Sequence, residues 1–229
     1  MSFIKIGHRG AAGYEPENTL RSFKKALQLG VDMIELDVYV CASGEPVVIH
    51  NNRVDRTTNG RGLVVNKTLH ELRRLNAGHG QKIPTLVQAL NLVGRKAQIN
   101  IELKGDDTAG PIAALIKKYT TKKNWSYADF LVSSFNHREL ALFARILPEV
   151  RIGVLIARLR KRRRLGYYLK KFRPWSINLP KKIVSKKMVQ AAHLFGAKVL
   201  VWTVDKPKAI KKIKAMGVDG IFSNFPDRL

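Results

Sequence analysis

Two short apolar runs carry three polar side chains whose types could do chemistry together. Glu35 and Asp37 interrupt the run 33–40, and His50 ends the run 46–50. Because successive residues of a strand point to opposite faces, the two carboxylates share one face. Neighbouring carboxylates repel in a core unless a cation lies between them, and such oxygen pairs suit Mg²⁺ or Ca²⁺. Taken alone, the pair also fits a half-buried hairpin with incidental polar residues.

The segment 42–45 joins these runs and predicts a tight turn. Ser43 favours local hydrogen bonds, and Gly44 accepts a positive φ without strain. A turn centred between Ser43 and Gly44 places Asp37 opposite His50. We therefore expect a β-hairpin that brings an imidazole beside the two carboxylates.

Strand-like apolar runs alternate with helix-like segments along the whole chain. A helix is expected over 19–29, with Asn18 as its N-cap rather than as a ligand. This order predicts an α/β protein, a (β/α)₈ TIM barrel with a β-hairpin after the second strand. The expected strands are 3–7, 33–40 with its return 46–50, 97–104, 130–134, 151–155, 175–179, 198–202 and 219–222.

A (β/α)₈ barrel has its active site at the C-terminal ends of the strands. Several polar side chains fall at these ends, and their three carboxylates could hold one divalent cation between two imidazoles. The side chains expected there are His8, Glu35, Asp37, His50, Glu102 and Lys104.

The size and composition of the chain fit one domain, which we predict to span residues 1–229. Hydrophobic residues make up 45% of the chain, enough for a substantial core. No signal peptide is recognisable, and no apolar run reaches the ~18 residues of a membrane span. The lone cysteine, Cys41, cannot form an internal disulfide and fits a reducing compartment. We expect a cytoplasmic protein, as a monomer or homodimer.

The net charge of +25 predicts attraction to polyanions such as nucleic acid, anionic lipid or phosphorylated small molecules. A general bias in composition without a partner is the alternative. Within 158–173, nine of sixteen residues are Lys or Arg, interleaved with aromatic side chains. As a helix, this segment could lie on an anionic membrane surface or simply be a solvated outer helix.

Ten short segments, in the same order along the chain, together resemble the glycerophosphodiester phosphodiesterase family. Each alone is a weak signal, but the ordered set spans nearly the whole chain and is highly specific. The segments are His8–Gly10, Pro16–Thr19, Glu35–Asp37, Gly44–His50, Asp55–Gly60, Ile83–Leu86, Ile101–Lys104, Ser133–Phe135, Val201–Val204 and Asp219–Ile221.

The resemblance implies a barrel of the phospholipase C-like phosphodiesterase type. It also implies hydrolysis of glycerophosphodiesters to sn-glycerol 3-phosphate and an alcohol, with one divalent cation, Mg²⁺ or Ca²⁺, as cofactor. By the same resemblance, the metal ligands are Glu35, Asp37 and Glu102, the acid/base pair is His8 and His50, and the phosphate contacts are Arg9 and Lys104. Trp202 could line the substrate pocket or pack in the core.

The chain departs from the family pattern at two places. The family usually has Asp after the second histidine, where this chain has Asn51. It often has an acidic residue shortly after the segment 83–86, where this chain has Val87 and Gln88. Asn51 removes a carboxylate that could orient His50 or tune the metal.

Two other functions compete with this interpretation. The basic segment 158–173 suggests the same chemistry on lysophospholipids at a membrane, a lysophospholipase D-type activity. The net charge alone suggests a non-enzymatic polyanion binder, although no specific nucleic-acid target is expected. The second alternative gives no reason for three carboxylates and two histidines at matching strand ends.

Overall fold

The strands of the protein form one continuous sheet. The computed structural model describes residues 3–158 and 163–229, and the side chains of all of these except 163 and 164. The strands are β1 (Ile4–Gly7), β2 (Met33–Val40), β3 (Pro46–Val48), β4 (Gln98–Leu103), β5 (Phe130–Ser134), β6 (Arg151–Leu155), β7 (Ser176–Pro180), β8 (Lys198–Trp202) and β9 (Gly220–Ser223).

Eight of these strands are parallel and close into a barrel. Their order around the ring is β1, β2, β4, β5, β6, β7, β8 and β9, and β9 pairs with β1 to complete the closure. β3 lies outside the ring and pairs antiparallel with β2. This arrangement confirms the predicted (β/α)₈ barrel with a hairpin after the second strand.

Helices connect the barrel strands and pack around them. They are α1 (Leu20–Gln28), α2 (Leu69–Arg74), α3 (Leu86–Val93), α4 (Ala109–Lys122), α5 (His137–Ile146), α6 (Arg163–Phe172), α7 (Lys186–Leu194) and α8 (Pro207–Lys214). Of the basic segment 158–173, residues 159–162 lie outside the described residues, and α6 covers most of the remainder. Among the helices described here, none has the length and apolar character needed to cross a membrane.

Alternation along β2 explains how one strand serves both the core and the site. Ile34, Leu36 and Val38 belong to the large core between the sheet and the helices. Met33 shares the opposite face with Glu35 and Asp37, and belongs to a separate apolar cluster that includes side chains of β1, β5, β8 and β9. The barrel interior is therefore apolar at its N-terminal end and polar towards the mouth.

The hairpin register differs by one residue from the prediction. Val38 lies opposite Val48, so that Asp37 faces Ile49 rather than His50. The Ile49 backbone N–H donates to the Asp37 carbonyl at 3.0 Å. His50 lies one residue farther along and still comes close enough for the Asp37 charge to act on it.

The turn between β2 and β3 gives the physical reason for this shift. The Cys41 N–H donates to the Glu45 carbonyl at 3.0 Å, which centres the loop on Ser43 rather than after it. Gly44 has φ +92°, a value that favours glycine. The loop therefore holds three residues instead of two, and each added loop residue moves the register by one.

The start of α1 also differs from the prediction, because the N-cap is Thr19 and not Asn18. The Thr19 hydroxyl accepts the Ser22 N–H at 3.2 Å. Asn18 has φ +57°, a left-handed conformation that Asn tolerates better than most residues. Its side chain turns away from the helix and towards β2.

Candidate active site

The three predicted carboxylates lie together at the C-terminal ends of β2 and β4. The two strands are adjacent, with Asp37 beside Glu102 in the parallel register. Glu35 lies on the same face of β2, and one oxygen of each side chain lies within 4.8 Å of the others. All three residues are buried. The sequence prediction of a carboxylate cluster is therefore confirmed as geometry.

Burial and mutual repulsion set the ionisation of these carboxyl groups. Burial raises the pKa of Glu35 well above its usual range, and the Asp37 and Glu102 charges add to that effect. Burial and the Asp37 charge raise the pKa of Glu102 to about 7. Burial also acts on Asp37, but the nearby Arg9 and Lys104 lower its pKa. The cluster therefore holds one ionised carboxylate beside two that resist ionisation.

Asn18 fixes the central carboxylate of the cluster. Its Nδ2 donates to Asp37 Oδ2 at 2.8 Å, and its Oδ1 accepts the Asp37 N–H at 3.3 Å. The other carboxylate oxygen, Asp37 Oδ1, is buried and has no hydrogen-bond partner. Lys104 Nζ lies 3.6 Å from this oxygen, too far for a hydrogen bond. A buried oxygen without a hydrogen bond, beside two further carboxylates, fits a divalent cation, because a cation would satisfy that oxygen and offset the repulsion.

Two basic side chains border the cluster. The Arg9 guanidinium lies 3.3 Å from Asp37 and 2.8 Å from Glu17, and the Arg9 N–H donates to Glu35 Oε2 at 2.8 Å. Lys104 Nζ donates to Glu102 Oε1 at 2.7 Å. These contacts place positive charge at the edge of the carboxylate cluster, where an anionic group would be attracted.

His8 is held by a chain of two further residues. Its Nδ1 lies 2.7 Å from Asn224 Oδ1, and Asn224 Nδ2 donates to Asp205 Oδ2 at 2.9 Å. A carboxylate only accepts hydrogen bonds, so Asp205 orients the amide with its oxygen towards His8. The proton of neutral His8 is therefore on Nδ1, and Nε2 keeps a free lone pair. Burial, with the Arg9 charge, lowers the pKa of His8 to about 4.

His50 is held in the same way by Asn51. The distance from His50 Nδ1 to Asn51 Oδ1 is 2.8 Å, and Arg56 Nε donates to the same oxygen at 2.6 Å. Because a guanidinium only donates, the oxygen assignment of Asn51 is fixed, and neutral His50 carries its proton on Nδ1. Burial lowers the pKa of His50, and the Asp37 charge partly offsets that effect. Asn51 thus orients His50 although it lacks a carboxylate.

A cavity of about 140 Å³ collects the predicted site residues at the barrel mouth. Trp202 lies on its wall, packed edge-on against Phe135 with 5.4 Å between ring centroids, and the buried Trp202 Nε1 has no hydrogen-bond partner. Asp37 is the one predicted residue that does not line the cavity, and its side chain is buried. The predicted residues on the wall are His8, Arg9, Glu35, His50, Glu102, Lys104 and Trp202.

Sequence reasoning missed the residues that hold the site from behind. The predicted role of Asn18 is a helix cap, and the sequence prediction includes neither Asp205 nor Asn224. These two residues follow β8 and β9 at the C-terminal end of the barrel. This position alone could have marked them as candidate site residues. Glu17 bridges Arg9 and Arg56, and it lies inside one of the family segments.

Comparison with known proteins gives the same family by three routes. The model of the glycerophosphoryl diester phosphodiesterase family matches residues 8–228. A glycerophosphodiester phosphodiesterase of Bacillus altitudinis is 38% identical, over 97% of this chain and 95% of its own. Another, from Caldanaerobacter subterraneus, is 34% identical over 100% of this chain and 97% of its own.

Solved structures agree with the sequence matches. A phosphodiesterase of Oleispira antarctica, in complex with the product sn-glycerol 3-phosphate, superposes with a TM-score of 0.87. It is 29% identical and covers 97% of this chain and 93% of its own. With the full-length matches in sequence and the barrel geometry described above, the chain belongs to the glycerophosphodiester phosphodiesterase family and is an enzyme of that type.

Proposed function

We propose that this chain hydrolyses glycerophosphodiesters to sn-glycerol 3-phosphate and an alcohol, using one divalent cation and two histidines. The observation that carries this proposal is the buried cluster of Glu35, Asp37 and Glu102 beside two imidazoles on one cavity. The product bound to the Oleispira antarctica relative is consistent with sn-glycerol 3-phosphate as the product here.

The cation is proposed to be Mg²⁺ or Ca²⁺, because the ligand set consists of oxygen atoms only. When bound, such a cation withdraws negative charge from the phosphoryl oxygens of the substrate. Arg9 and Lys104 add positive charge beside it and are proposed to contact the non-bridging oxygens. The Nε1 of Trp202 has no hydrogen-bond partner and is proposed to donate to a substrate oxygen, since Trp202 lines the same cavity.

His8 is proposed as the base, because Nε2 of its neutral ring is free and its pKa is low. His8 takes the proton of the glycerol 2-hydroxyl, whose oxygen then attacks phosphorus. The bond from phosphorus to the alcohol oxygen breaks, and His50 donates a proton to that oxygen. Water then opens the cyclic phosphate with the two roles reversed. Direct attack of water on the diester is the alternative route.

The test is hydrolysis of a panel of glycerophosphodiesters with and without chelator, by the wild type and His50→Ala. Activity should disappear with chelator and return with Mg²⁺ or Ca²⁺. Loss of His50 should lower kcat by about 10²- to 10⁴-fold. Hydrolysis that persists in chelator at the full rate would contradict the proposal. Under single-turnover conditions, a trapped cyclic phosphate would favour attack by the 2-hydroxyl, and its absence would favour direct attack of water.

Hydrolysis of lysophospholipids at a membrane is not favoured as a second function. The relatives reported above are named for glycerophosphodiesters or as phosphodiesterases. The basic segment that motivated the alternative includes residues 159–162, which lie outside the described residues.

A further inference from the structure

The positive charge of the chain is concentrated in one stretch of the sequence. The first 149 residues hold twenty-one Lys and Arg against fourteen Asp and Glu. Residues 150–218 hold twenty Lys and Arg against one acidic residue, Asp205. A general bias in composition would spread along the chain, whereas this excess belongs to the stretch from β6 to α8, with its helices included.

Six of these basic residues follow β7 and β8, at the mouth end of the barrel. All six are exposed, and none forms an ion pair within the described part of the chain. The nearest acid in sequence, Asp205, accepts hydrogen bonds from Ser223 and Asn224 instead. We name these six residues the lysine rim: Lys181, Lys182, Lys186, Lys187, Lys206 and Lys208.

The loops after β1 and β3 carry less unpaired positive charge: residues 8–19 and 49–68 hold five Lys and Arg against three Asp and Glu. Glu15 pairs with Arg21 at 2.7 Å, and Asp55 pairs with Arg53 at 3.0 Å. Glu17 bridges two further arginines. An anion at the mouth is therefore attracted mainly towards the lysine rim.

The lysine rim lowers the stability of α7 and α8, the helices that carry part of it. Lys186 and Lys187 are the first two residues of α7, and Lys208 lies in the first turn of α8. A helix N-terminus carries partial positive charge, so cations are disfavoured and carboxylates favoured at these positions. Neither helix has an acidic residue in its first turn. The rim therefore opposes local stability, which is common for residues selected for binding.

The rim lies beside the catalytic cavity. The Lys181 N–H donates to the carbonyl of Trp202 at 2.9 Å, and Thr203, three residues before Lys206, is on the cavity wall. The cavity volume of about 140 Å³ is small for a ligand site, so it accommodates one arm of a diester. The alcohol arm of the substrate must extend past the cavity towards the mouth.

We propose that the lysine rim binds an anionic alcohol arm, so that the preferred substrates are glycerophosphodiesters whose alcohol carries a further phosphate. This inference rests on the proposed function and specifies its substrate class. The scissile phosphate lies beside Arg9 and Lys104, and the rim adds attraction only for charge outside the cavity. A zwitterionic substrate such as glycerophosphocholine gains little there, because its choline is a cation.

The experiment compares kcat/KM of the metal-loaded wild type for three substrates at low and physiological salt. They are glycerophosphocholine, glycerophosphoglycerol, and glycerophosphoglycerol with a phosphate on its far hydroxyl. At about 10 mM salt, we expect the phosphorylated diester to exceed glycerophosphocholine by about tenfold. The advantage should shrink at about 0.15 M salt, because the Debye length falls to ~8 Å.

The test variant is Lys186→Glu with Lys187→Glu, and the matched control is Lys211→Glu with Lys212→Glu. Both change the net charge equally, but Lys211 and Lys212 lie in the last turn of α8, away from the mouth. The test variant should lose about tenfold of the preference at low salt and unfold at a higher temperature. The control should keep the preference and unfold at a lower temperature.

Each outcome decides between the proposals. An unchanged preference in the test variant, or an equal loss in the control, would overturn the lysine rim as a binding surface. Hydrolysis of glycerophosphocholine at the same rate as the phosphorylated diester would overturn the rim alone. No hydrolysis of any of the three substrates would overturn the proposed function together with it.

Discussion

Each of the two histidines lines the cavity and has its Nδ1 hydrogen-bonded to an asparagine, which leaves Nε2 as the unprotonated nitrogen of the neutral ring. The amide of Asn224 is oriented by the carboxylate of Asp205, and that of Asn51 by the guanidinium of Arg56. Asp205 only accepts a hydrogen bond and Arg56 only donates one, yet each turns the oxygen of its asparagine towards the histidine. Both histidines therefore carry the proton on Nδ1. A neutral amide fixes a ring and raises its pKa less than a charged carboxylate would, because it adds a hydrogen bond without a negative charge.

The Asp205–Asn224 pair predicts a loss that a second substitution repairs. In Asp205→Asn the amide of Asn224 is free to turn, so His8 loses the tautomer that leaves Nε2 unprotonated. We expect kcat to fall by about 10- to 100-fold with KM little changed, measured by steady-state kinetics. Adding Asn224→Asp places a carboxylate beside His8 Nδ1, where it accepts the Nδ1 proton. The new amide at position 205 can donate to that carboxylate, so activity should return.

The pH profile separates this positioning role from a general loss of folding. In the repaired double variant, a carboxylate beside His8 raises its pKa above about 4. A base is lost as pH falls through its pKa, so the acid limb of kcat/KM should move to higher pH. A double variant that is folded but no more active than Asp205→Asn would contradict the proposed orientation.

Asn51→Asp restores the carboxylate that the family usually has and predicts a shift in the opposite limb. The new charge next to His50 should raise its pKa, which burial now lowers. Under the proposed role as acid, activity is lost as pH rises through that pKa. The alkaline limb of kcat/KM should therefore move up by about 1 pH unit. Asn51→Ala is the control, with lower activity and no upward shift; the same shift in both variants would refute the electrostatic cause.

At the scale of elements, the loop from β1 to α1 does most to position the site. It carries His8 and Arg9, and it turns sharply at Gly10, which has φ +84°. A Cβ at Gly10 would lie 2.7 Å from the backbone carbon of Ser22 in α1. The loop is therefore fixed by close backbone contact with the helix that follows it.

Gly10→Ala should therefore cost more than backbone strain alone. Gly30 has a similar φ of +68°, but a Cβ added there would have no atom within 4 Å, so Gly30→Ala measures the strain by itself. We expect a loss of about 1 kcal/mol at Gly30 and about 2–4 kcal/mol at Gly10, from urea unfolding. Gly10→Ala should also lower kcat, because Arg9 moves with the loop. Equal losses at the two glycines would contradict the close contact.

Most elements could be predicted from the sequence because the periodicity of the apolar residues and the positions of the capping and turn residues indicate the same boundaries. Thr85 and Gln88 form a capping box at the start of α3, and Gly94 ends it in the left-handed conformation. The hairpin register could not be predicted, because the sequence around Ser43 and Gly44 is compatible with a loop of two residues and with a loop of three. The prediction for Asn18 is wrong because Asn is favoured both at N-caps and at positive φ.

The site could be predicted as a set of residues but not as a network. Parallel strands bring their C-terminal ends together in any barrel, so the carboxylates and histidines followed from strand positions. The contacts of Asn224 and Asp205 depend on the loops after β8 and β9, whose conformations no periodic pattern encodes. Sequence alone therefore identified the residues that line the cavity better than the residues that orient them.

At the scale of the whole molecule, the protein combines a strongly basic surface with a buried acidic cluster. Without a cation, Glu35 and Glu102 stay protonated over a pH range in which the unfolded chain ionises them. The fold therefore tolerates the cluster either with protons or with metal. Metal binding and proton release are coupled, since both act on the same oxygens.

Removal of metal should make the stability of the protein depend on pH. Glu102 has its pKa raised from 4.5 to about 7, so the folded state binds more protons than the unfolded state between those values. Stability without metal should therefore be highest below pH ~4.5 for this group and fall as pH rises through about 7.

Added Mg²⁺ or Ca²⁺ stabilises by mass action, about 2.7 kcal/mol at a concentration of 100 Kd. Because metal must displace protons at low pH, the rise in Tm on adding metal should be larger at pH ~8 than at pH ~5.5. Thermal unfolding in chelator and in metal checks this, with Glu102→Gln as the control, which removes the part of the pH dependence that comes from Glu102 and keeps the part that comes from Glu35. A metal-induced rise in Tm that is equal at both pH values would show that the cation does not bind to these carboxylates.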